Sequence, residues 1–217
     1  MDKYHKIQTV FKRDPATNHK TLLENEYSLP EFCYLKENDW VFTEKVDGTN
    51  VRVMWTGEEI KFAGKTDNAQ MPMPLIEALG ELFSSQVEKF HDIFGGWDTE
   101  PEGEMEDVCL YGEGYGGKIQ KGGKYNPTQT FVLFDVFIGG LWLRRGDVED
   151  IATKLGCNVV PVIGHGPLSV MVEKCRAGFQ SQWGQFEAEG IVARPMAELR
   201  TRRGDRMITK LKCRDFA

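Results

Sequence analysis

The chain has 217 residues, of which 41% are hydrophobic and 28% charged, and its formal net charge is −6. This length suits one full-sized domain, and the composition excludes a disordered, collagen-like or coiled-coil chain. The negative total charge is unlike that of a basic nucleic-acid binder.

The N-terminal stretch MDKYHKIQTVFKRD lacks the apolar core of a secretory signal. The longest apolar stretch, residues 131–143, is interrupted by Asp135 and two glycines, and it is shorter than the ~18–20 residues of a membrane span. The five cysteines are widely spaced without a CxxC pair, which is typical of reduced thiols and not of a zinc site. We therefore expect a cytoplasmic protein.

In the first half of the chain, residues 1–39 are polar and rich in turn formers, which predicts an irregular N-terminal extension. Apolar residues at helical spacing predict one helix over 74–94, ended by two glycines, and the acidic stretch 97–107 predicts an exposed loop. The Asp47-Gly48 pair predicts a tight hairpin turn between two strands. Strands are predicted at 40–44, 50–55 and 59–65.

In the second half, strand patterns again outnumber helical ones, and the two do not alternate as in a parallel α/β sheet. Helices are predicted at 147–155 and 169–179. Strands are predicted at 108–113, 130–138, 190–195 and 206–214. The order of elements predicts an α+β fold.

The segment TEKVDGTN, residues 43–50, carries the most informative pattern. Lys45 ends a strand and is followed by a carboxylate and a glycine, which is typical of an ordinary turn. It also suits a nucleophilic lysine, because neighbouring cations lower the pKa of an amine and free it to attack phosphorus. Gly48 would let the backbone approach a ligand closely.

Four later segments place charged or aromatic residues in comparable positions. Glu113 ends a strand that runs into glycines, and Glu189 begins one. Asp135 follows Phe134 inside an apolar strand, where an acid is costly to bury without a partner. Lys210 and Lys212 alternate along a strand and so face the same side, where they would meet an anion.

Taken together, these segments resemble the covalent nucleotidyltransferase superfamily, and within it the ATP-dependent RNA ligases of the RNA ligase 2 type. KVDGTN resembles motif I, YGEG motif III, LFDVF motif IIIa, EGIV motif IV and KLK motif V, in the family's order. The resemblance implies a nucleotidyltransferase (ATP-grasp-like ligase) fold with antiparallel sheets and flanking helices. Residues 1–217 would form a single such domain, with 1–39 packed on it.

The resemblance implies a reaction in which Lys45 attacks ATP to form lysyl-AMP, the AMP passes to a 5′-phosphate end, and a 3′-hydroxyl seals an RNA strand. It implies ATP and Mg²⁺ or Mn²⁺ as cofactors. Lys45, Asp47, Glu189, Lys210 and Lys212 are then catalytic candidates. The nucleotide would be held by Glu44, Lys45, Asn50, Glu113, Phe134, Lys210 and Lys212, and the metal by Glu189 and Asp135.

The family pattern is incomplete in two places. Lys65 stands where the family has an arginine in motif Ia, and a lysine lacks the bidentate fork of a guanidinium. The sequence ends five residues after the KLK of motif V, so we expect no C-terminal OB or other accessory domain. We expect the domain to bind RNA by itself or with a protein partner.

The charge is unevenly distributed, since residues 194–214 have a net charge of +6. A basic segment is often only a solvated loop, but here it predicts a path for phosphates. The nucleic-acid candidates are Asn50, Arg52, Lys65, Arg202 and Arg203. The alternatives are a minimal DNA ligase acting on nicks, a GTP-using capping enzyme, an NAD-using ligase and a non-catalytic nucleotide- or RNA-binding module of the same fold.

Overall fold

The computed structural model describes residues 3–95 and 108–216. The chain divides into two compact units, the first built from 1–4 and 47–160 and the second from 5–46 and 161–217. Within the described ranges, no helix is long and apolar enough to cross a bilayer. The predicted loop at 97–107 lies outside the described residues.

The first unit is built on a sheet with the strand order β10-β8-β7-β5-β6, with β9 paired to β8. Its strands are β5 (Thr49–Trp55), β6 (Ile60–Ala63), β7 (Val108–Tyr115), β8 (Thr130–Ile138), β9 (Leu141–Trp142) and β10 (Asn158–Val159). Its helices are α2 (Met73–Leu79), a π-helical turn (Gly80–Ser84), α3 (Val87–Phe94) and α4 (Arg145–Leu155). One face of the sheet packs its alternate apolar side chains against these helices to form the core.

The second unit is built on a sheet with the strand order β1-β13-β12-β4-β11 and a separate hairpin of β2 and β3. Its strands are β1 (Gln8–Thr9), β2 (Phe11–Arg13), β3 (Leu22–Tyr27), β4 (Trp40–Lys45), β11 (Val162–Gly166), β12 (Gly190–Pro195) and β13 (Thr209–Lys212). Its helices are α1 (Pro30–Tyr34) and α5 (Leu168–Ala177). A second core lies on one face of this sheet.

The expected α+β class with largely antiparallel sheets and flanking helices is confirmed. The predicted hairpin of β4 and β5 is wrong, because the two strands belong to different sheets. Both edges of β4 are occupied by β11 and β12, and both edges of β5 by β6 and β7, so neither strand has hydrogen-bonding groups left for the other. The chain passes from the second unit to the first between Val46 and Asp47.

Two other predictions are corrected. The N-terminal 39 residues are not irregular, because they contain β1–β3 and α1, and β1 pairs in parallel with β13. The predicted helix over 74–94 is divided: after the π-helical turn, the side-chain amide of Gln86 donates to the carbonyl oxygens of Leu82 and Leu155. Because the Leu82 carbonyl oxygen accepts this side-chain hydrogen bond, it does not require a backbone N–H from a further helical turn, and the helix can end here.

Candidate active site

Three neighbouring strands of the second unit bring the predicted lysines onto one face. In β12, Gly190 lies opposite both Lys45 of β4 and Lys212 of β13. One step along, Val192 lies opposite Lys210. Because directly paired residues share a face, the three lysines line the face opposite the core.

Glu189 joins two of these lysines. Its Oε2 lies 2.6 Å from Lys45 Nζ and its Oε1 lies 2.6 Å from Lys212 Nζ, and the three side chains are 10–22% exposed. Between these lysines, position 190 requires glycine, since a Cβ there would stand 2.0 Å from the Leu211 carbonyl oxygen. The result is a half-buried carboxylate that bridges two ammonium groups.

Glu44, a predicted nucleotide-binding residue, lies on the other face of β4 from Lys45. It is 1% exposed, and its carboxylate accepts the Ser181 hydroxyl at 2.6 Å and the Gln182 amide at 2.8 Å. Burial raises the pKa of Glu44, and these two hydrogen bonds act in the opposite direction. Glu44 therefore anchors Ser181 and Gln182, in the segment that precedes Glu189.

In the first unit, Asn50 and Glu113 form a cross-strand pair on the face of the sheet away from the core. Asn50 Nδ2 donates to Glu113 Oε2 at 2.9 Å. Gly48 packs against the same strand, because a Cβ at Gly48 would meet the Gly114 carbonyl oxygen at 2.3 Å and Glu113 Cγ at 2.7 Å. Only glycine fits at position 48. The preceding residue, Asp47, is half-buried.

Phe134 and Asp135 lie at an irregularity of β8. Tyr111 of β7 pairs with Asp135 and Gly112 with Leu133, so Phe134 is the extra residue of a β-bulge. The bulge leaves Phe134 half-buried, while Asp135 has no exposed surface.

Tyr4 contacts both Asp135 and Phe134. Its hydroxyl donates to Asp135 Oδ2 at 2.5 Å, and its ring centroid lies 5.0 Å from that of Phe134 in an edge-on arrangement. Edge-on aromatic pairs fix the orientation of both rings. The N-terminus therefore helps to hold Phe134, the residue predicted to stack on the nucleotide base.

Arg52 does not lie on the surface. It is 2% exposed, its Nε donates to the Gly64 carbonyl oxygen at 3.0 Å, and its guanidinium pairs with Asp67 at 2.6 Å. The guanidinium hydrogen bond lowers the pKa of the Asp67 carboxyl. Arg52 thus fastens the turn that carries Lys65, which is exposed.

The basic segment of the second unit is less basic at its surface than in its sequence. Arg206 is buried and pairs with Glu198 at 2.6 Å. Arg202 and Arg203 are exposed at the tip of a turn in which the Thr201 amide donates to the Asp205 carbonyl oxygen at 2.7 Å. The exposed arginines of the segment, and not the buried Arg206, therefore make up its cationic surface.

A metal site made of protein ligands alone is absent from the described ranges, which hold no suitable group of three or more His, Cys, Asp or Glu side chains. The acidic side chains of the candidate site instead suit a Mg²⁺ or Mn²⁺ ion that is held by one carboxylate, by water and by the phosphates of a bound nucleotide. Glu189 provides a partly exposed carboxylate of this kind. Asp135 does not, because it is fully buried.

The fold and these motifs define the class to which the chain belongs. The family model described as RNA ligase matches residues 38–212, so the chain is a member of the RNA ligase family. A search of curated protein sequences gives no match.

Solved structures of an RNA ligase from Naegleria gruberi share the fold. An arginine-to-alanine variant with ATP and Mn aligns with a TM-score of 0.66 at 16% identity, covering 98% of this chain and 56% of that one. A lysine-to-methionine variant with AMP and Mn gives a TM-score of 0.63 at 15% identity, with coverage of 98% and 58%. The ligase with PPi gives 0.64 at 15% identity, with the same coverage. The chain therefore spans a little over half of the length of these proteins.

Sequence reasoning missed the residues that hold the candidates in place. Ser181 and Gln182 anchor Glu44, and Tyr4 binds Asp135. The buried acid of β8 signalled that a partner must exist. No local pattern showed that this partner lies 131 positions away.

Proposed function

We propose that this chain is the adenylyltransferase part of an ATP-dependent RNA ligase, which joins 3′-hydroxyl and 5′-phosphate ends through lysyl-AMP and adenylated-strand intermediates. The observation that carries the proposal is the set of Lys45, Glu189 and Lys212 on one sheet face of an RNA ligase family member. The similar Naegleria structures are complexes with ATP and Mn, with AMP and Mn, and with PPi, which supports the choice of nucleotide and metal.

In the first step, Lys45 Nζ forms a bond to the α-phosphorus of ATP while the bond to the pyrophosphate oxygen breaks. Before the attack the ammonium must lose a proton, and Glu189 Oε2 lies 2.6 Å away to take it. Lys210 and Lys212, on the same face, would neutralise charge on the phosphate oxygens. A divalent metal at Glu189 would supply further neutralisation of phosphate charge when it is bound.

For the nucleoside, we assign ribose contacts to Glu113 and Asn50, which already form a hydrogen-bonded pair. Phe134 is assigned to stack on adenine, because the bulge leaves its ring partly accessible. Asp47 is assigned to orient the loop after Lys45. Glu44 acts indirectly in this scheme, by holding the segment at Ser181.

For the nucleic acid, we assign phosphate contacts to the exposed Arg202, Arg203 and Lys65, whereas Arg52 positions the turn of Lys65. Affinity for RNA should then fall steeply with added salt. Charge reversal at Arg202 and Arg203 should reduce strand sealing more than the formation of lysyl-AMP. An equal loss in both steps would remove the two arginines from the RNA path.

The deciding experiment is incubation of the purified chain with Mg²⁺ and α-labelled ATP, GTP or NAD in parallel. Covalent labelling by ATP that is lost in Lys45→Ala and kept in Lys89→Ala, an exposed lysine of α3, is expected. An unlabelled wild-type chain that is fully folded would refute the proposal. Transfer to nicked duplexes with RNA or DNA on the 3′-hydroxyl side then separates an RNA ligase from a DNA ligase.

A further inference from the structure

The segment 179–188, between α5 and β12, is held by Glu44 but has no contact with nucleotide or RNA assigned to it in the function proposed above. Its sequence, FQSQWGQFEA, contains three aromatic residues and three glutamines but only one charged residue. The three aromatic side chains are half-buried and the three glutamines are exposed. We call this segment the glutamine hairpin.

Its backbone forms a small antiparallel hairpin. The Ala188 amide donates to the Phe179 carbonyl oxygen at 2.9 Å, and the Ser181 amide donates to the Phe186 carbonyl oxygen at 2.8 Å. The Trp183 amide donates to the Ser181 hydroxyl oxygen at 3.1 Å. These bonds give the side chains of the hairpin defined positions.

A surface cavity of about 450 Å³ lies against this hairpin, and an adjoining one of about 440 Å³ lies at its tip. The first is lined by Phe179, Gln180, Gln185, Phe186 and Glu187, together with the backbone that precedes them. Both are open surface depressions and not enclosed pockets. The lining combines aromatic carbon with amide donors and acceptors.

The hairpin is attached at two points to the strands that carry the candidate catalytic residues. The Glu44 carboxylate, one residue before Lys45, holds Ser181 and Gln182. The residue that follows the hairpin is Glu189, which pairs with Lys45 at 2.6 Å. The hairpin is therefore tied to the strand ends that carry Lys45 and Glu189, and its contacts with Glu44 lie on the face of β4 opposite Lys45.

The lining chemistry selects for an uncharged aromatic ligand. Aromatic side chains stack on exposed nucleic-acid bases, and amides hydrogen-bond to base edges. The exposed carboxylate of Glu187 disfavours a phosphate inside the cavity. Lys174, whose Nζ lies 5.2 Å from the centroid of the Phe179 ring, offers a cation beside that ring.

We propose that the glutamine hairpin binds one unpaired base of the RNA strand. The inference rests on the proposed ligase function and adds to it a subsite for the substrate. It assigns Phe186 and Gln185 to base binding, with no part in adenylation of Lys45.

The test compares Phe186→Ala, Phe186→Trp and Gln185→Glu, with Tyr34→Ala as a matched control. Tyr34 is 87% exposed and belongs to the same unit. The probe is a short fluorescein-labelled single-stranded RNA, whose affinity is measured without ATP, beside a separate measurement of self-adenylation. Phe186→Ala should weaken RNA binding about tenfold, as the loss of one base stack does. Phe186→Trp should restore it, and adenylation should not change.

Gln185→Glu introduces a charge at an exposed position and should weaken RNA binding without affecting folding, which keeps the test valid if Phe186→Ala misfolds. Unchanged RNA affinity in both variants overturns the inference. So does an equal loss of adenylation, which would make the cavity part of the adenosine site. A chain that is never adenylated but binds RNA through Phe186 would refute the proposed chemistry and keep the hairpin subsite.

Discussion

Removing the Ser181 hydroxyl tests how Glu44 anchors the segment before Glu189. Ser181 is 4% exposed and Glu44 1% exposed, so water does not replace the lost donor. In Ser181→Ala the carboxylate keeps the Gln182 amide at 2.8 Å as a donor. The Trp183 amide loses its acceptor as well.

The size of the effect follows from these contacts. A hydrogen bond to an ionised, buried acceptor contributes about 1.5–3 kcal/mol, so Ser181→Ala should lower the free energy of unfolding by about 2 kcal/mol at neutral pH. For a chain of this length, that loss corresponds to a decrease in Tm of about 4–8 °C. Ser169→Ala, at an exposed position of α5, should leave Tm nearly unchanged.

The effect should depend on pH. Burial raises the pKa of Glu44 above its unfolded value, so the stability linked to this group is complete below the unfolded pKa and is lost as pH rises through the folded one. The Ser181 hydrogen bond lowers that folded pKa, and its removal raises the pKa further. The difference between wild type and Ser181→Ala should therefore be larger at pH 7 than at pH 4.

Thermal unfolding followed by circular dichroism at pH 4 and pH 7 measures both quantities. The reasoning is refuted if Ser181→Ala has the Tm of Ser169→Ala at pH 7. It is also refuted if the loss of stability is the same at both pH values, because the bond would then not involve an ionised carboxylate.

Three further predictions concern the first unit and the cysteines. Gly48→Ala should cost about 1–3 kcal/mol of stability and reduce adenylation, because its Cβ meets backbone. Gly146→Ala, in open space within α4, should instead stabilise by up to about 1 kcal/mol. Tyr4→Phe should lower the free energy of unfolding by about 1.5–3 kcal/mol in denaturant titrations, because it removes a hydrogen bond to a buried carboxylate. Burial raises the pKa of the Cys157 thiol to about 12, so at pH 8 a maleimide should label exposed Cys33 first, as mass spectrometry would show.

Contrary results would be informative in each case. A Gly48→Ala chain as stable as wild type would mean that the backbone at Gly114 shifts to accommodate the added Cβ at little cost in free energy. A Tyr4→Phe chain with unchanged stability would mean that the carboxylate is sufficiently bonded by other groups. Labelling of both cysteines at equal rates would show that the Cys157 site opens to solvent.

Local patterns alone determined much of this protein. The alternation of polar and apolar residues located the strands that carry the motifs, because that alternation follows directly from the period of a strand. It also placed Lys210 and Lys212 on one face, and the order of motifs indicated the family that the comparison confirms. These features depend on residues close together in the sequence.

Tertiary structure decided which partner each of these residues has. Strand period shows that Glu44 and Lys45 point in opposite directions, but only the pairing of β4 with β12 places Lys45 beside Glu189, 144 positions later. The bulge at Phe134 and the burial of Arg52 likewise depend on the neighbouring strands. A strand carries its side-chain pattern in its own sequence, whereas its hydrogen-bonding edges are filled by whichever strands the whole chain brings to them.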